Sequence, residues 1–174
     1  MKNMPAKDGP PALPYTDTKP VGAADFYFAI NATFRFIFQK LGVESLRRYW
    51  TQLGEQYFAP VSERWLREGL PAVAAYWRAF FDAEPGADVE IIPGQNRVTL
   101  EVKVCPAIRH LRAHGREIVP CFCQHCYFIS EAIAAPAGLT VRVEGGNGSC
   151  RQTFARRETN LPDQNLANIK EATC

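Results

Sequence analysis

Apolar residues first recur at helical spacing. Ile30, Phe34, Ile37, Phe38 and Leu41 follow one another at three and four, which predicts an amphipathic helix over 23–41 closed by Gly42. Val43, Leu46, Tyr49, Trp50, Leu53 and Tyr57 repeat the pattern in a second helix, which Pro60 ends. A third is expected from about Ser62 to Phe81 through Trp65, Leu66, Val73, Trp77 and Phe80, with Pro71 as the point for a kink.

The period then changes to two. Val89 and Ile91 alternate with acidic residues, and Pro93-Gly94-Gln95-Asn96 makes a turn. Val98, Leu100, Val102 and Val104 then alternate with polar positions, which predicts a hairpin with one buried face. Pro106 opens a short helix that Gly115 stops, and another follows Pro120 toward Ala135. Leu139, Val141 and Val143 start a second hairpin, which turns at Gly145-Gly146-Asn147-Gly148 into Ser149–Phe154. Three helices followed by a ββααββ unit read as an α+β fold, an antiparallel sheet covered by helices on one face.

The two ends lack this periodicity. Five of the thirteen prolines fall in residues 1–20, so 1–22 reads as a mobile arm, 23–157 as one domain, and 158–174 as a polar tail ending in an idle thiol at Cys174.

Composition narrows the function. With 20 basic and 18 acidic residues the net charge is +2 and no basic block is present, so a nucleic-acid partner is not expected. No apolar stretch approaches the roughly 20 residues needed to span a bilayer, and the N-terminus has no apolar signal core. A cytoplasmic protein is therefore expected, and six cysteines there read as metal-binding, catalytic or plain buried thiols rather than disulfides. Fifteen of the twenty aromatic residues lie between Phe26 and Phe81, a surface large enough to predict a homodimer. Five of the six cysteines lie between Cys105 and Cys150, which separates the core builders from the candidate chemistry.

Cys105 stands where a strand ends and a proline-initiated helix begins. There the helix N–H groups and positive dipole end favour a thiolate, unless the residue is simply a small apolar strand end. Cys121-Phe122-Cys123-Gln124-His125-Cys126 is the densest run of soft ligands, and Cys150 on the last strand could supply a fourth sulfur. Cys121, Cys123, Cys126 and Cys150 are thus the candidate metal ligands, for zinc first and an iron–sulfur cluster as the alternative. The competing reading is buried or merely reactive thiols. His110 and His114 share a helix face, but the arginines around them point to a solvated basic surface. Glu144 is the carboxylate to watch, because it precedes the glycine turn near Cys150.

The stretch Val104-Cys105-Pro106, the cysteine run from Cys121, and Gly146-Asn147-Gly148-Ser149-Cys150 followed by Phe154 resemble the L-2-amino-thiazoline-4-carboxylic acid hydrolase-like family. The resemblance covers roughly residues 23–157. It departs from the family pattern at Asn147, where an Asp is usual, and at His125, near where an Asp is common. It implies a small-molecule hydrolase that opens a cyclic amidine, amide or thiazoline ring, with Cys105 as nucleophile or pocket thiolate, His125 moving protons and a metal at the cysteines. The C-terminal part is also similar to vinyl-reductase-type ligand-binding domains, which implies instead a non-catalytic small-molecule binding or sensor domain with a structural metal. A structural metal takes four protein ligands, whereas a catalytic one keeps a position open.

Overall fold

A computed structural model describes residues 24–173, and the N-terminal arm and Cys174 lie outside the described residues. Six helices, α1 (Phe26–Leu41), α2 (Val43–Gln52), α3 (Ala59–Glu68), α4 (Leu70–Asp82), α5 (Pro106–Ala113) and α6 (Gln124–Ala134), pack on a five-stranded sheet. Its strands are β1 (Asp88–Pro93), β2 (Arg97–Val104), β3 (Leu139–Gly146), β4 (Ser149–Arg156) and β5 (Ile169–Lys170), in the order β1-β2-β4-β3-β5. The fold is α+β, and the pairing is antiparallel except between β3 and β5.

Two of the three expected N-terminal helices are subdivided. Residues Leu53–Tyr57 widen into a π-turn after α2, and Pro60 sits in the first turn of α3 rather than merely ending a helix. Proline costs little there because the first-turn N–H has no partner within the helix. The third helix breaks at Gly69, whose φ of +68° a side chain would resist, and Pro71 falls in the first turn of α4.

Register fixes the inner face of the sheet. Val98, Leu100 and Val102 of β2 stand opposite Phe154, Gln152 and Cys150 of β4, which in turn face Val141, Val143 and Gly145 of β3. Trp65, Val73, Ile133 and Phe154 centre one core beneath the sheet, and Phe34, Leu46, Trp50, Ile108, Leu111 and Phe122 centre a second among α1, α2 and α5. Cys123 and Ile129 pack against both cores, so the start of α6 lies along their seam.

The polar stretch after Arg157 departs from its reading as a free tail. Gln164 accepts from Val143 N at 2.8 Å and donates to Val143 O at 3.0 Å, so its amide continues the ladder at the β3 edge. Ile169 and Ala172 are buried, and Ala172 N donates to Pro120 O at 2.8 Å. The pairing of an amide side chain with a strand edge leaves no hydrophobic period to read. No helix among the described residues is long and apolar enough to cross a membrane.

Candidate functional site

Four elements deliver four cysteines to the seam between the cores. Cys105 leaves β2 and caps α5, Cys123 caps α6, Cys126 lies in the first turn of α6, and Cys150 opens β4. The hairpin tip ties them together: Cys105 N donates to Gly148 O at 2.8 Å, and Asn147 N donates to Cys123 Sγ at 3.3 Å. Gly146 permits this approach. With φ at +134°, a Cβ there would stand 2.7 Å from Lys170 O and 3.3 Å from the Cys123 Cβ.

Each of these four sulfurs lies close enough to the other three that ionising one opposes ionising the next. Cys121 does not belong to the group. It is buried in the α1–α2–α5 core, where Arg47 and Glu171 are its charged neighbours. No other thiol is among the groups that act on Cys121, whereas Cys105 acts on Cys123 and Cys150 and is acted on by Cys126.

The four thiols are half-buried, and desolvation holds all of them in the protonated form. Backbone N–H groups of Ala107 and Ile108 do reach Cys105, as a helix start should provide. Burial outweighs them and pushes its thiol up to about 11, so the thiolate favoured by the dipole is not the resting form. Cys123 and Cys126 are each pushed up to about 12, by burial first in both cases.

His125 is held with one nitrogen defined. Its Nδ1 donates to Phe122 O, so Nε2 carries the free lone pair, and this atom faces Cys126 Sγ at 3.6 Å. Burial lowers the imidazole pKa, which keeps the ring neutral among Phe34, Trp50 and Phe122. Cys126 and His125 therefore form a neutral thiol–imidazole pair with its donor and acceptor correctly matched. Arg47 of α2 fixes the start of α6 by donating to Gln124 Oε1 from Nε at 3.2 Å and Nη2 at 3.1 Å.

Two participants escaped the sequence reading. Gln152 occupies an inward position on β4, with Nε2 3.7 Å from Cys150 Sγ, and it also hydrogen-bonds Cys126. Its alternation with Cys150 and Phe154 was the available signal. Tyr27 donates to Glu84 Oε2 at 2.5 Å, and burial together with that carboxylate pushes its phenol up. Cys105 and Cys126 lie near enough to raise it further.

The remaining candidates lie elsewhere. Glu144 is exposed and paired in register with Arg151 on the outer sheet face, where a groove of about 570 Å³ runs past Arg97, Glu101 and Arg142 without touching the cysteines. His110 stacks on Phe28 at 4.8 Å and reaches Asp25 at 3.2 Å, and His114 meets the same ring edge-on. Among the described residues, no three Cys, His, Asp or Glu side chains stand at the mutual spacing of one ion's ligands.

No family model matches this chain, and no curated protein is significantly similar to it.

Proposed function

We propose that this protein is a small-molecule hydrolase-like enzyme that opens a cyclic amidine, amide or thiazoline ring, with Cys126 as the attacking thiol and His125 as its base. The observation that carries this reading is the His125 tautomer. An imidazole whose Nδ1 proton is committed to Phe122 O presents its lone pair to the Cys126 S–H at 3.6 Å. The short motifs that resemble the L-2-amino-thiazoline-4-carboxylic acid hydrolase-like family, although they depart from its pattern at Asn147 and His125, point to the same reaction class.

In this mechanism the S–H proton passes to His125 Nε2 as Cys126 Sγ bonds to the electrophilic ring carbon. The ring bond to the leaving heteroatom breaks, and that atom takes the proton from the imidazolium. Water, deprotonated by the same nitrogen, then attacks the acyl or imidoyl carbon, and the Cys126 thiol leaves with its proton restored. Both groups begin and end neutral, in keeping with an environment that penalises isolated charge. Cys105 lines the site instead of attacking.

The test is a panel of small lactams, cyclic amidines and thiazolines followed by mass spectrometry. C126S and H125Q are expected to lose at least about 100-fold in ring opening, the range of a positioned base, while C105S retains turnover. Undiminished turnover in C126S would overturn the assignment.

The convergence of four thiols favours a second reading, a non-catalytic small-molecule binding domain with a thiophilic metal, zinc or an iron–sulfur cluster. The donor set fits in kind, since Cys105, Cys123, Cys126 and Cys150 offer soft sulfur, but no three of these side chains stand at the spacing of one ion's ligands, so the thiols would have to lose their protons and close in on the metal. Cys105, Cys123, Cys126 and Cys150 would hold it, and the metal would supply a structural cross-link between β2, α6 and β4. Cobalt added anaerobically should then give thiolate charge-transfer bands that C105S loses and C121S keeps. Stoichiometric metal bound equally in both variants, or in neither, rejects this ligand set.

A further inference from the structure

We propose that Gln152 is the recognition group of this site, its side-chain carbonyl accepting a hydrogen bond from an N–H of a small uncharged heterocycle. The inference rests on the ring-opening reading for its location, and its test does not depend on catalysis.

The buried polar side chains among the described residues are Asn31, Ser62, Ser130, Thr140 and Gln152. Asn31 shows how such a group is normally satisfied. Its Nδ2 donates to Glu117 O at 2.8 Å and its Oδ1 accepts from Val119 N at 3.3 Å, which clips α1 to the segment before α6. Thr140 is likewise held by Glu131, at 2.9 Å. Gln152 is only 3% exposed, yet its Oε1 has no partner among the described residues. Three indole N–H groups, of Trp50, Trp65 and Trp77, share that condition, but they belong to large apolar rings whose packing accounts for their burial.

Packing does not account for Gln152. It stands in the row between Leu100 and Val143, a position at which an aliphatic side chain would fill the same space without burying an amide. A buried acceptor left without a donor lowers stability, so a group kept in that state points to a partner outside the chain. The head group is also in the right place, since its Nε2 lies 3.7 Å from Cys150 Sγ and it hydrogen-bonds Cys126, the proposed nucleophile.

The ligand's chemistry follows from what surrounds the amide. The missing partner of a carbonyl oxygen is a donor, and the groups placed against the amide, the thiols of Cys126 and Cys150, carry no charge to balance an ion. An N–H in a lactam, cyclic urea or cyclic amidine meets both conditions.

The experiment compares two probes, 2-pyrrolidinone and N-methyl-2-pyrrolidinone, which differ in the one N–H, titrated into the full chain by NMR. The wild-type protein is expected to bind the N–H lactam about tenfold more tightly, the discrimination of a single buried hydrogen bond. Q152M, close in volume, should lose the preference and melt at the same temperature or about 2–4 °C higher, because the orphaned amide is gone. C126S should keep the preference. Loss of ring opening in C126S with the preference intact therefore tests the thiol separately from Gln152, and continued ring opening there would reject the nucleophile but not the recognition group. Equal affinities in the wild type, binding of neither lactam, a preference that survives Q152M, or a Q152M protein that melts lower or does not fold would each overturn the proposal.

Discussion

Gly54 decides how closely the π-turn after α2 approaches α6, and G54A tests that contact with opposing effects of known size. Considered locally, the substitution should stabilise, because alanine in a helical position is worth up to about 1 kcal/mol over glycine. The tertiary contact works the other way. A Cβ at residue 54 would stand 2.5 Å from the Ala132 Cβ and 2.6 Å from Ile129 O, against an ordinary carbon–carbon separation of about 3.5–4.0 Å. Neither atom belongs to a side chain that can rotate aside, so α6 must move by about 1 Å, and overpacking of this kind costs about 1–3 kcal/mol or more. The clash wins, for a net loss of about 1–2 kcal/mol. Urea unfolding should show the midpoint lowered by roughly 0.5–1 M at an unchanged slope, taking about 2 kcal/mol per molar for the slope. The double variant G54A/A132G removes one of the two collisions and should recover part of the loss. G54A with a midpoint equal to or above the wild type would refute the reasoning, because helix propensity would then outweigh a contact that the backbone cannot relieve. The displacement also matters for chemistry, since α6 carries Cys126 and His125 in its first turn.

Further expectations concern the thiols, the C-terminal strap and assembly. Because burial raises the Cys105, Cys123 and Cys126 thiols above the ordinary thiol range, the native state holds protons that the unfolded chain gives up above about pH 9. Stability of chelator-treated protein should therefore be full below that pH and fall between about pH 9 and 12, by up to about 1.4 kcal/mol per pH unit for each thiol. A rise over the same window would mean thiolates held in the native state, as metal ligands are. Replacing Gly146 with Ala forces a Cβ against Lys170 O, so β5 should detach and limited proteolysis should remove the C-terminal segment faster than in the wild type. An unchanged digestion pattern would contradict this. The exposed Phe36, Leu41, Tyr57 and Leu66 make a homodimer the proposed state, and light scattering should give twice the 19.5 kDa chain mass. A monomer mass rejects it.

The α+β architecture was legible because the hydrophobic period switches from 3.6 to 2 at Val89 and returns for α5 and α6. Each long element carries enough apolar positions to declare which face it buries. The π-turn was less visible, since the period runs through it and only the close approach of α6 at Gly54 marks it, whereas the break at Gly69 falls two residues before the Pro71 expected to kink the helix. Among the candidate site residues, the thiols that stand together are Cys105, Cys123, Cys126 and Cys150, where the sequence spacing had singled out Cys121 in place of Cys105. Cys121 lies only two residues before Cys123, yet no other thiol acts on it, while Cys105 comes from nearly twenty residues away, where Gly148 O accepts from its backbone N–H. Local spacing cannot report a contact made by a hairpin tip. At Cys105, where a thiolate and a small buried strand end were the two readings, burial works against the thiolate for a related reason. The helix N–H groups that favour it are local, whereas the burial that overrides them is tertiary. Gln152 stood in the sequence as a polar residue on the inward register of a strand, a conflict between pattern and chemistry that is itself a site signal.

The strand order has a consequence for how the chain is made. β4 lies between β2 and β3 in the sheet but follows β2 by about fifty residues in the chain. During synthesis at roughly 5–20 residues per second, the finished β1–β2 hairpin waits about 3–10 s with one long edge of β2 unpaired. That edge carries Val98, Leu100 and Val102, an apolar row suited to capture by another nascent chain. Arg97, Glu101 and Lys103 interrupt it on the opposite face, and like charges on neighbouring copies discourage the capture. The same delay governs the chemistry, because Cys150 arrives on β4: the thiols of Cys105, Cys123 and Cys126 pass through synthesis without their fourth neighbour, so the site closes as one of the last events of folding.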